Sequence, residues 1–183
     1  MHQALPFLDR FHIAGIFKLH FELCTILLSQ FSDKFITVHS FQSCMALGEK
    51  LFEEHGKTTG FKITKVHPIE GTTMEVSFVS EIKGAGRVPN GRNMGSGTTT
   101  QYPTGTVDAR YEGVFTMDGG EQFMWWAHEK SKLGDDGKTK GLVIVSGFTN
   151  SQKLSWMNKM IIAIDSEFDP AGQEFKGTAY EWK

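Results

Sequence analysis

Cysteine is absent from the chain after position 44; the two it has are Cys24 and Cys44. Residues 45–183 therefore carry neither a disulfide scaffold nor a CxxC metal or redox site, which suits a reducing, cytoplasmic compartment. Excess positive charge is also absent. After position 44 there are 16 Lys and Arg against 18 Asp and Glu, with no basic cluster. A nucleic-acid binder needs a surplus of cations to replace phosphate counterions, so none is expected here. HExxH, a His-x-His pair, a GxSxG elbow and a Walker loop are all missing from this stretch, so no metal, cofactor or catalytic residue is assigned. Asp165, Glu167 and Asp169 share a strand face, but calcium needs six to eight oxygens wrapped around it. A solvated face is expected instead.

The first 44 residues lack something else: glycine. They hold one of the 20 glycines, Gly15, yet seven of the 15 phenylalanines and none of the four tryptophans. Two stretches so different in composition are read as separate units, an N-terminal extension (1–44) and a folded domain (45–183). Residues 13–28 are largely apolar, but Lys18, His20 and Glu22 interrupt them, and the remaining uncharged run is too short to span about 30 Å of hydrocarbon. A secretory signal lacks its basic start and its small-x-small cleavage site. The other readings are an upstream extension from a misplaced start at Met45, or a loosely packed amphipathic helix.

What the second stretch has is alternation. Polar and apolar residues alternate at period two in runs near 60–66, 72–82, 109–117, 122–130, 140–149, 160–168 and 173–182, the pattern of half-buried strands. Asp118-Gly119-Gly120 and Asp135-Asp136-Gly137 supply the positive φ angles of tight turns, and Pro170-Ala171-Gly172 does similar work. Residues 151–158 read as one helical turn, capped by Asn150 or Ser151. Residues 84–106, with six glycines, read as a bulged edge strand and a mobile loop, or as a lid over a pocket. The class is all-β: an antiparallel up-and-down barrel of about eight strands with a poorly specified N-terminal extension. Leu142, Val143, Ile144 and Val145 make one strand apolar on both faces, so a partner or a second sheet must cover it. A homo-oligomer is one way.

Several short motifs resemble a known family: Gly48-Glu49-Lys50-Leu51-Phe52, Gly56-Lys57-Thr58-Thr59-Gly60, Tyr111-Glu112-Gly113-Val114, Ser151-Gln152-Lys153-Leu154 with Asn158, and Tyr180-Glu181-Trp182-Lys183. From Met45 onward the chain resembles an uncharacterised family of small bacterial β-barrel proteins, related in architecture to the allene-oxide-cyclase-like, dirigent-like and calycin-like barrels. Trp126-Ala127-His128-Glu129 departs from the Gly-alternating strand that the family has there. The resemblance implies the barrel, and its motifs are structural rather than chemical.

A barrel of about eight strands has room for packed side chains or one small ligand. The expected function is binding of a small apolar or amphipathic molecule in the interior, without chemistry of its own. The alternatives are an isomerase or cyclase of a small apolar substrate, and a packed structural or oligomeric barrel with no ligand. The candidate ligand-binding residues are Phe78, Phe115, Trp126 and Phe148 among the aromatics, with Glu112 and His128 as polar residues in otherwise apolar strands. Trp125, Trp182, Glu129, Asp165 and Glu181 share these descriptions. A carboxylate buried beside His128 would suit acid–base work.

Overall fold

The computed structural model describes residues 47–183; the expectations for the N-terminal extension and its boundary at Met45 lie outside them. Eight antiparallel strands follow in order: β1 Leu47–His67, β2 Gly71–Gly84, β3 Gly91–Gln101, β4 Thr106–Met117, β5 Gln122–Leu133, β6 Thr139–Phe148, β7 Ile162–Asp169 and β8 Glu174–Trp182. Each pairs with the next, and β8 returns to β1, so the sheet closes into an up-and-down barrel. Closure leaves the paired strands no free edge. Strand β1 is the exception along part of its length. It is 21 residues long, and its pairing with β8 ends at Lys57 while its pairing with β2 runs on to His67. Two register shifts, at Thr58/Gly60 and Ile63/Lys65, bend this overhanging arm.

Tight turns need positive φ, and Gly105 (79°), Gly120 (88°) and Gly137 (76°) supply it between β3 and β4, β4 and β5, and β5 and β6. The helical turn is a 3₁₀ helix, Gln152–Lys159, between β6 and β7. Its expected side-chain cap does not form. Asn158 holds the segment instead: its Oδ1 accepts from the Thr149 amide (2.8 Å) and its Nδ2 donates to the Thr149 carbonyl (3.0 Å). Leu154 and Met157 of this helix, with Val88 from the β2–β3 connection, join Leu51, Phe52, Ile82, Phe115 and Phe123 in the core. That end of the barrel is filled.

The Gly-rich stretch 84–106 is not an edge or a lid. Residues Gly91–Gln101 form a regular strand between β2 and β4, with eleven unshifted pairs on each side. The glycines are there because ring systems lie over them. A Cβ on Gly95 would stand 2.7 Å from Phe78 Cζ and 2.9 Å from Trp125 Cη2. Glycine here is a packing solution rather than a loop signal.

Candidate functional site

Alternation along the strands decides which side chains enter the barrel. On β3 to β6 the odd positions point inward, and on β2 and β7 the even ones. Between the filled end and the opposite turns they leave a cavity of about 420 Å³. Its lining is mainly apolar: Phe52, Val76, Phe78, Phe115, Trp125, Val143, Ile164 and Phe175, with Met157 toward the filled end. Phe61, Leu133, Phe168 and Pro170 line it toward the turns that join β1 to β2, β5 to β6 and β7 to β8. Phe61 is 59% exposed there, so this end is the mouth.

Phe78 organises the aromatic wall. It meets Tyr111 edge to face at 5.6 Å, Phe175 edge to face at 5.5 Å, and stacks on Trp125 at 6.1 Å. These geometries are the favoured ones for paired rings.

Set into this wall is a polar chain. Trp125 Nε1 donates to Asn93 Oδ1 (2.8 Å), Asn93 Nδ2 donates to Glu54 Oε1 (2.8 Å), and Ser80 Oγ donates to the same Glu54 oxygen (2.5 Å). All four side chains are buried, and Glu54 is only 7% exposed. Burial pushes the Glu54 carboxyl above the usual carboxylate range; the Ser80 and Asn93 donors pull the other way but do not offset it. Nearer the mouth, Tyr111 donates to Glu129 Oε2 (3.0 Å). Burial first, then the neighbouring Glu129 charge, pushes the Tyr111 phenol up.

The expected site residues divide between the two faces of the sheet. Phe78 and Phe115 line the cavity. The inward placement expected of Glu112, Trp126, His128 and Phe148 is corrected: all four stand on the outer face. Glu112, Trp126 and His128 come together there in a shallow recess with Arg110, Ile144 and Ser146, because they occupy even positions or pair with them across β4, β5 and β6. His128 Nε2 lies 2.9 Å from Asp108 Oδ1, and Lys130 also bonds that carboxylate. Asp108 is held below the usual range by Lys130 and then His128. Among the described residues no interior carboxylate meets His128. Phe148 pairs with Met124 on the outer face, and Asp165 is exposed as well. Of the other candidates, Trp125 and Glu129 line the cavity.

Sequence reasoning missed Glu54, Ser80 and Asn93. Ser80 had a usable signal, since it shares the parity of Phe78 and Ile82. Glu54 and Asn93 sit where alternation marked nothing, in the first half of β1 and in β3. Among the described residues no group of three or more His, Cys, Asp or Glu is placed to hold a metal ion, and no helix is long and apolar enough to cross a membrane.

No family model and no curated protein matches the chain. Solved structures do. The chain is similar to a protein of unknown function from Clostridium acetobutylicum, at 15% identity and TM-score 0.64, over 74% of this chain and 98% of that one. A β-barrel-like protein from Acinetobacter baumannii matches at 13% identity and TM-score 0.64, over 74% and 94%. An enzyme from Penicillium herquei matches at 15% identity and TM-score 0.50, over 77% and 100%. At such identities the likeness is one of fold.

Proposed function

We propose that the barrel binds one small molecule, apolar along most of its length, inside the cavity. The observation that carries this reading is the cavity itself. Its 420 Å³ falls within the roughly 300–1,000 Å³ of ordinary ligand sites, and its lining has the expected make-up, mostly hydrophobic with a few convergent polar groups. A barrel serving only as a scaffold has no use for such a space, since interiors otherwise pack to crystal-like density. Kinship with the allene-oxide-cyclase-like barrels, and residence in a reducing cytoplasm, belong to the same proposal. The second reading, proton transfer on the bound molecule, is favoured by Glu54, a buried carboxyl on the cavity wall.

Native mass spectrometry of the full chain, purified gently from cells, tests the binding reading. The expected result is a reproducible added mass that is lost on denaturation. Val143→Trp, which places an indole in the cavity, should abolish it, whereas Trp126→Ser on the outer face should keep it. A bare mass for the wild-type chain, with no uptake of an added apolar probe such as 2-propylnaphthalene, would overturn the reading.

A further inference from the structure

The orientation of the polar chain is fixed by its first member. An indole N–H only donates, so the Asn93 oxygen must face Trp125 and its amide nitrogen must face Glu54. Glu54 Oε1 therefore accepts, and it accepts twice, from Asn93 and from Ser80. Two donors occupy both lone pairs of a carbonyl-type oxygen. Oε2 has no hydrogen-bond partner among the described residues, and Glu54 belongs to the cavity lining. In the neutral acid, the form its burial favours, the proton sits on Oε2 while Asn93 and Ser80 both donate to Oε1.

We infer that Glu54 is the ligand-orienting group of the cavity: its Oε2–H donates to a neutral oxygen acceptor, and the ligand class is a lipophilic ketone, aldehyde or ester. This rests on the binding reading above. A pure hydrocarbon would leave the Oε2 donor unpaired in an apolar space, a loss worth roughly tenfold to a hundredfold in affinity. A carboxylate ligand would bring a second, charged acid to a site that already disfavours one negative charge. A carbonyl oxygen satisfies the donor and adds no charge. The apolar wall made by Phe78, Val76 and Phe175 then takes the rest of the molecule.

Other ionisable groups bear on this donor. His55, the next residue on β1, is the titratable neighbour whose charge acts on Glu54. Tyr111 on β4, Glu129 on β5, Glu167 on β7 and Lys176 on β8 are the other titratable groups of the lining. Ionising Glu54 removes the Oε2 proton, so affinity for a carbonyl ligand falls as the pH rises through its pKa.

The test compares 2-propionylnaphthalene with 2-propylnaphthalene, which differ in one carbonyl, by titration calorimetry on the full chain. The ketone is expected to bind at least tenfold more tightly at mildly acidic pH and to lose that advantage as the pH is raised. Its carbonyl stretching band should move to lower frequency than in alkane. Glu54→Gln retains an N–H donor at this position and should keep the preference but lose the pH dependence; Glu54→Leu should lose the preference. If a variant does not fold, the wild-type carbonyl band decides alone. Equal binding of the two compounds, with the band at its alkane position, overturns the inference and leaves the cavity a ligand site. Binding of neither compound overturns both readings.

Discussion

Glycine at position 95 and glutamate at position 54 look unremarkable in the sequence, and each is dictated by what lies across the barrel. Gly95→Ala sets a methyl 2.7 Å from Phe78 Cζ, 2.9 Å from Trp125 Cη2 and 2.9 Å from the Glu112 carbonyl oxygen. A strand backbone on one side and two stacked rings on the other leave little room to give. The substitution is expected to cost about 1–3 kcal/mol, the usual penalty of overpacking, read as a lower urea midpoint with an unchanged slope. Glu54 acts through pH. Its folded pKa is raised, so between the unfolded and folded values the native state holds a proton that the unfolded chain has released. Stability therefore falls as the pH rises through that window, by about 1.4 kcal/mol for each pH unit between the two values. Thermal melts across pH should show this decline in the wild type and its loss in Glu54→Gln, which keeps an acceptor for Ser80 and Asn93 without the ionisation.

Elements show where local pattern suffices and where it does not. Asn158 closes the 3₁₀ segment onto Thr149 through both ends of its amide. Asn158→Ala leaves a buried amide and carbonyl without these partners, and should destabilise by about 1–2 kcal/mol, with faster hydrogen exchange of the Thr149 amide. The strand runs from 72–82 onward, except β3, were legible because apolar residues recur at period two or, in β6, run unbroken through residues 142–145. Strand β3 was not, because its inward positions include Gly91, Gly95 and Gly97, which carry no hydrophobic signal at all. The first half of β1 was hidden for a related reason: its inward positions include Glu54 and Gly56. Strand β5 was legible as a strand but not as to its sides. Trp125 and Trp126 are equal in hydrophobicity, and alternation separates two faces without saying which is inside. Register across the closed sheet decides it, and register is a property of eight strands together. Four site candidates fell on the wrong face as a result.

At the scale of the whole molecule the ring of pairings couples every strand to two others, with β1 and β8 joining the two ends of the described chain. No strand can leave without opening the ring. Unfolding is therefore expected to be a single cooperative step, with tryptophan fluorescence and far-ultraviolet circular dichroism giving superimposable denaturation curves. Because closure joins segments more than a hundred residues apart, folding should take milliseconds to seconds rather than microseconds; stopped-flow refolding checks both. Separated transitions for the two probes would show that the overhanging β1–β2 arm melts on its own.

The chain of donors from Trp125 through Asn93 to Glu54 runs in one direction only. Hydrogen bonds in such a chain polarise one another, so a proton lost at the acid end tightens the pull on the indole at the other. Indole is a chromophore. The emission of Trp125 is therefore expected to shift when the Glu54 carboxyl on the cavity wall changes its charge, which would make that tryptophan an optical gauge of the cavity.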